Sequence, residues 1–324
     1  MIGRPRARAL ACALLLSTAA LSGCGGEQTL VLVGGQRVDA ATIDQDPVAL
    51  LPGSIVALSY LDAGALFATR LGADTTALVT SVLPIGAESN FVPSRDVTKL
   101  YGGLYAMQGA DYCFVVQGHF DVAAITRAAD AKAATPSGIP LVKSQYGGSD
   151  FYTVGNVGFV PLTAHTLLSG TEAGMRRVLD RLRYGNLERS VPKWMVELCD
   201  TKGAAFALAA DLTSQVPVAP ALQGTPVLSQ LRIVRVIGNF QSPGLNFAGT
   251  LTYETPEGAT AGVAAIQSTQ AAARWLGIFA AFGFGVTLPT IDLAQKEKDV
   301  AFTMPVDEGL ARTLLRMGAQ KVGK

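Results

Sequence analysis

The chain has 324 residues, 49% of them hydrophobic but only 7% aromatic, with 26 basic and 25 acidic side chains and a net charge of +1. That length suits two domains or one large one, with a core built mainly from Ala, Val, Leu and Gly. The balanced charge argues against a nucleic-acid binder, whose affinity rests on a basic excess that neutralises phosphates.

Arg4, Arg6 and Arg8 precede an apolar run from Ala9 to Leu16. The run is too short for a bilayer span, which takes about 20 apolar residues. A positive flank, a short apolar core and small residues after it make an export signal. The stretch closes on Leu21-Ser22-Gly23-Cys24, followed by Gly25-Gly26.

This tetrapeptide resembles the lipobox of bacterial lipoproteins, in which an aliphatic and two small residues precede a cysteine. The resemblance implies cleavage between Gly23 and Cys24, a diacylglyceryl group on the Cys24 thiol, and a further acyl chain such as palmitate on the new amino terminus. The implied partner is a membrane, held through those chains. One chain alone, at about 0.8 kcal/mol per buried CH2, binds only reversibly, so two are needed for a lasting anchor. In two-membrane bacteria a non-acidic residue after the cysteine favours the outer membrane. Gly25 therefore implies a cell-envelope protein on the outer membrane, facing the periplasm. Removing Arg4, Arg6 and Arg8 from the 26 basic residues leaves 23 against 25 acidic ones, a net of −2.

The expected organisation is a signal over 1–23, a lipidated tether over 24–49, a first module over 50–189 and a second over 190–324. In the tether, "TLVLVGGQRVDA" reads as a small hairpin around Gly34-Gly35. As a flexible coil, its 25 or so residues would reach about 25–30 Å.

In the first module "SIVALSYL" alternates as a strand, and Asp62 caps a helical run containing Leu66, Phe67 and Leu71. A second short helix is expected over Thr75 to Leu83. "YGGLYAMQ" and "YCFVVQGHF" are strands joined at Gly109-Ala110-Asp111, and Asp121 caps a helix with Val122, Ile125 and Ala129 on one face. "PLVKSQY", "DFYTVG", "VGFVPL" and "TLLSG" read as further strands. Thr171 caps "EAGMRRVLDRL", whose stripe is Met175, Val178, Leu179 and Leu182.

Ser190 to Asp200 reads as a joint with a capped short helix. "AAFALAADL" is a strand, and a loop-rich helical stretch holds Pro217, Pro220 and Pro226. "RIVRVIGNF" and "GLNFAGTLTYE" are paired strands. Thr255-Pro256-Glu257 starts a helix, with cap, first-turn proline and early acid together. "DVAFTMPV" is a strand, and Asp307 caps "EGLARTLLRM".

Both halves run strand, helix, strand, strand, helix, strand, helix, with extra strands in the first. "TLLSGTEAGMRRVLDRL" and "VAFTMPVDEGLARTLLRM" align as their last units. The expected fold class is α+β: two related modules, each an antiparallel sheet packed against helices. Through "FVVQGHFD", "YGGSDFYTV" and "TLLSGTEAGMRRVLD" the body resembles envelope lipoproteins with duplicated α+β modules, and no catalytic residue comes with that resemblance.

Chemistry-bearing motifs are sparse. His119 and His165 are the two histidines; a metal pair would require the fold to bring them together, and no ligand spacing supports one. "YGGSDF" around Ser149 lacks the second glycine of a nucleophile elbow. No phosphate-cradling or dinucleotide motif occurs. Asp62, Asp121 and Asp307 are explained as helix caps. Cys113 and Cys199 read either as a bridge or as two buried thiols. Arg176, Arg177, Arg181 and Arg183 crowd one helix, either toward lipid phosphates or as a solvated face with Asp180 and Glu188 as partners. "WLGIFAAFGFGVTLP" is uncharged. It reads as a core helix, or else as an apolar ligand-binding patch of Trp275, Phe279 and Phe282.

The expected function is non-enzymatic: binding or scaffolding, toward an envelope protein or an apolar ligand, with no cofactor, no metal and no nucleic acid. The alternative is a periplasm-facing hydrolase whose active site carries no recognised motif.

Overall fold

A computed structural model describes residues 30–33, 36–106, 111–214, 226–228, 230–241, 244–280 and 290–322. The signal and Cys24 lie outside the described residues.

β1 (Leu30–Val33) and β2 (Gln36–Asp39) form the expected hairpin, with Val31 opposite Val38. Asp39 caps α1 (Ala40–Gln45), and a 3-10 turn at Pro47–Leu50 follows. Val38, Ile43, Val48 and Leu50 are buried in the main core. The stretch expected as a tether is therefore folded from Leu30 onward, with Val31, Val38, Ile43, Val48 and Leu50 packed into the core.

The first half continues with β3 (Ala57–Asp62), α2 (Ala63–Phe67), α3 (Gly72–Val82), α4 (Pro93–Asp96), β4 (Val97–Ala106) and β5 (Asp111–Gly118). Then come α5 (Val122–Asp130), the strands β6 (Val142–Tyr146), β7 (Ser149–Val154), β8 (Val157–Pro161) and β9 (Thr166–Thr171), and α6 (Glu172–Arg183). α7 (Lys193–Cys199) leads into the second half; its N-terminus, at Pro192, has no side-chain cap, so the cap expected for this short helix is not formed. The second half has β10 (Phe206–Asp211), β11 (Leu231–Gln241), β12 (Gly244–Tyr253), α8 (Pro256–Ala280), β13 (Asp292–Lys296), β14 (Asp299–Val306) and α9 (Glu308–Val322).

The fold is α+β. Among the described residues, the antiparallel sheets of the two modules join through β3 and β10 into one sheet of twelve strands, ordered β13-β14-β12-β11-β10-β3-β4-β5-β9-β8-β7-β6. From the β3–β10 seam, where Leu58 faces Ala209, both halves run outward in corresponding order. The hairpin β6–β7 is the addition in the first half.

Strand alternation divides the core between the two sheet faces. On one face Leu58, Tyr60, Tyr101, Val115, Leu168 and Ala207 pack with α1, with Met175, Val178, Leu179 and Leu182 of α6, and with Met195 and Val196 of α7. On the other, Leu100, Val116, Phe159 and Leu167 pack against α2, α3 and α5. α9 and α8 cover this second face in the second half, through Ala311 and Ala259. The last helices of the two halves thus lie on opposite faces. This departs from a strict repeat and places α9 beside α3.

Candidate functional site

The sheet floor beneath α3 and α9 is built from two cross-strand rows. Strand pairing sets Met304, Phe247, Gly238, Phe206, Leu61 and Leu100 in one row, and Phe302, Gly249, Val236, Leu208, Ser59, Gly102 and Phe114 in the next. In each row a glycine stands where a neighbouring phenylalanine ring lies across the sheet. A Cβ at Gly238 would sit 2.7 Å from the Phe247 ring, one at Gly249 would sit 2.8 Å from the Phe302 ring, and one at Gly102 would sit 2.7 Å from the Phe114 ring. Strand glycines of this kind mark close approach. Here they let three rings lie flat as a continuous apolar floor.

The roof comes from Leu66 of α2, Leu78 and Val82 of α3, and Ala311, Leu314 and Leu315 of α9. Floor and roof do not close on each other. They enclose a cavity of about 520 Å³ lined almost wholly by apolar side chains, with Ser59 the polar side chain of its floor. Small-molecule sites span roughly 300–1,000 Å³ and are mostly apolar with a few polar groups. Leu314 at its mouth is 44% exposed.

The α3–α9 roof is pinned by charge. Arg316 Nε donates to Asp74 Oδ1 at 2.7 Å, and Arg312 Nε lies 3.9 Å from Asp74 Oδ2. Arg312 also donates to Glu308 at 2.6 Å and to the Arg70 carbonyl at 3.3 Å.

Trp275 and Phe279 fall within α8 and Phe282 beyond it, but their side chains lie outside the described residues. The residues that line the cleft were not singled out from sequence. The available signal was the alternation in "AFALAADL", "GLNFAGTL" and "AFTMPV" and the leucine-rich face of α9. Register, which sequence does not give, assembles those strands into one floor.

Three of the four arginines of α6 are engaged in ion pairs or hydrogen bonds, and Arg183 lies over the Tyr184 ring. Arg176 pairs with Glu172, and Arg177 reaches Asp111 at 2.9 Å. Arg181 donates to the carbonyls of Ala49 and Glu188. Asp180 accepts instead from the Tyr146 hydroxyl at 2.8 Å. This face is laced to its own fold rather than open to phosphates. Cys113 and Cys199 are separate, buried free thiols. Burial pushes Cys199 up to about 12, and Cys113 is raised as well, so neither is an activated nucleophile.

His119, after β5, and His165, in the β8–β9 turn, come together at a shallow depression of about 340 Å³ that Ser89, Arg95, Asp96 and Asp121 also line. Its polar groups are committed elsewhere. Both Asp96 oxygens accept from Arg95 and one also from the Val92 amide. Asp121 Oδ1 caps α5, and the Ser89 hydroxyl donates to the Gly86 carbonyl. His165 Nδ1 meets the Gly118 carbonyl at 3.0 Å. Among the described residues, neither histidine hydrogen-bonds a carboxylate. The base-and-orienter pairing of a hydrolytic triad is thus not formed there.

Among the described residues no helix is long and apolar enough to cross a membrane. No family model matches the sequence, and no curated protein matches it. Crystal forms III and I of TP0453 resemble this chain in fold, each with a TM-score of 0.50 and 10% sequence identity. The first covers 84% of this chain and 98% of its own, the second 85% and 97%. At that identity the likeness concerns the fold alone.

Proposed function

We propose that the chain is a lipid-anchored envelope protein, held by acyl chains on Cys24 at the outer membrane and facing the periplasm, whose body binds an apolar ligand between sheet and helices. The observation that carries the binding role is the cavity of about 520 Å³ under α3 and α9. Leaving that much carbon lining unfilled forfeits the packing that a closed core would gain. An occupant that restores those contacts, with one polar end near Ser59, offsets the loss. A long acyl chain has that shape and chemistry. The lidded geometry, with the roof tied at its edge by Asp74 and Arg316, suits uptake from and return to a nearby bilayer.

The test is lipid extraction of the purified full chain followed by mass spectrometry. A near-stoichiometric long-chain lipid, additional to the chains on Cys24, is expected. Val236→Trp fills the floor of the cleft and should lower recovery at least tenfold while the protein stays folded by circular dichroism. Wild-type protein free of such lipid, or equal recovery from a folded Val236→Trp variant, overturns the reading.

A further inference from the structure

The chain contains two histidines, and the fold brings them into contact: the His119 and His165 rings meet edge to face, with centroids 5.2 Å apart and planes at 84°. Both are exposed. From these residues we propose a binding site for one divalent transition-metal ion, distinct from the apolar cleft, with His165 Nε2 and a ring nitrogen of His119 as its protein ligands.

Three features support this assignment. The first is spacing. Metal–nitrogen bonds to imidazole are about 2.0–2.1 Å, so two rings bound at a tetrahedral angle have centres roughly 5 Å apart. The observed pair already stands at that separation.

The second is tautomer. His165 Nδ1 lies 3.0 Å from the Gly118 carbonyl, which can only accept. Nδ1 therefore carries the proton and Nε2 the lone pair. Metal-binding imidazoles use the same device, donating their other N–H to a carbonyl or carboxylate that fixes the ring.

The third is rigidity of the support. The Gly118 amide donates to the His165 carbonyl at 3.0 Å, His119 N to the Asp96 carbonyl at 2.8 Å, and Phe120 N to the Ala164 carbonyl at 2.8 Å. The turn that carries His165 is fixed by Thr163, whose Oγ1 accepts from the His165 amide at 2.9 Å. The Thr163 and Thr166 hydroxyls both donate to Asp44 Oδ1, at 2.5 and 2.6 Å. Little ordering cost is left for binding itself.

The charges around the pair favour a cation. Arg95 is offset by Asp96, which it grips through both carboxylate oxygens, and Asp121 adds a further negative charge. Among the described residues no third His, Cys, Asp or Glu joins the pair as a ligand group. The remaining coordination positions belong to water, and the depression of about 340 Å³ has room for it. Imidazole ligands suit copper, nickel and zinc, and copper(II) heads the affinity order.

The test uses untagged full-length chain, since a polyhistidine tag would mask two native imidazoles. Copper(II) is titrated against a competing chelator and read by electron paramagnetic resonance. One ion per chain, with hyperfine splitting from two nitrogens, is expected. His119→Gln and His165→Asn should each leave one nitrogen and weaken binding at least tenfold, and the double variant should bind no better than buffer. Both rings are exposed, so the variants should keep the wild-type circular dichroism and melting curve. Oxygen-only coordination in the wild type, or equal affinity in a folded double variant, overturns the proposal.

Discussion

Asp74 on α3 and Arg316 on α9 meet at 2.7 Å across 242 residues of chain, joining the two helices that roof the apolar cleft. The aspartate side chain is 7% exposed, whereas the arginine side chain is 64% exposed. The two ends of the bond should therefore respond differently to removal. Arg316→Ala loses a charged hydrogen bond whose donor is largely in water, a cost of about 1 kcal/mol. Asp74→Ala also removes the carboxylate that Arg312 Nε approaches at 3.9 Å, although Arg312 keeps Glu308, and should cost somewhat more, about 2 kcal/mol. Urea denaturation of both single variants and the double variant measures the coupling. A coupling of roughly 0.5 kcal/mol or more is expected for groups in direct contact. Strictly additive effects would show that the pair does not tie the roof.

The floor makes a second prediction. A methyl group at Gly238 would meet the Phe247 ring at 2.7 Å, so Gly238→Ala must push that ring up into the cleft. Overpacking of this kind costs about 1–3 kcal/mol. Phe247→Leu in the same chain removes the clash, so the double variant should be less destabilised than the sum of the singles. Gly238→Ala alone should reduce lipid recovery, because the displaced Phe247 ring occupies ligand space, and adding Phe247→Leu should restore it. Full additivity in urea melts would mean that the glycine is not there for the ring.

Much of the scaffold was legible because local chemistry dictates it. Asp62, Asp121, Thr171, Thr255 and Asp307 each accept from an amide one turn on, as their positions ahead of apolar helical runs imply. The hairpin about Gly34-Gly35 and the alternating strands were equally local. β13, "DLAQK", escaped because it is an exposed edge strand with a single large apolar side chain, Leu293, which faces Phe302. The cleft escaped for another reason. Its floor draws on β3, β4, β5, β10, β11, β12 and β14, so it exists only once register and strand order are set. The meeting of His119 and His165 is of the same kind, fixed by a turn on β9 and the end of β5.

Anchoring is tested at the one residue proposed to carry it. Cys24→Ser removes the only atom in Leu21-Ser22-Gly23-Cys24 that can take a thioether-linked lipid. The variant should either leave the membrane fraction or accumulate as a precursor that retains its signal. Intact-mass analysis of wild-type protein should show the added acyl mass. A Cys24→Ser chain that is cleaved and fractionates like the wild type would end the lipoprotein reading. It would leave the cleft proposal standing, since that rests on the folded body.

Alkaline pH probes the core directly. Burial, then Asp200, push the Cys199 thiol up to about 12, and burial and Asp62 do the same to Tyr60. Cys113 is raised too, by burial and then by Asp111. In an unfolded chain thiols ionise near pH 8.5 and tyrosines near pH 10. Above those values the unfolded chain has released protons that the folded chain still holds, so stability must fall as pH rises. The contribution is complete below about pH 8.5 and drains away as pH climbs toward the folded values. Urea midpoints taken at about pH 7, 9 and 10.5 should decline for the wild type, and less steeply for Cys199→Ala, which has one fewer proton to lose. Iodoacetamide should leave both thiols of the folded chain unmodified at about pH 8 and label them once urea opens it. Rapid labelling of Cys199 in the folded protein, or a pH slope indifferent to its removal, would place that sulfur in water rather than on the buried face of α7.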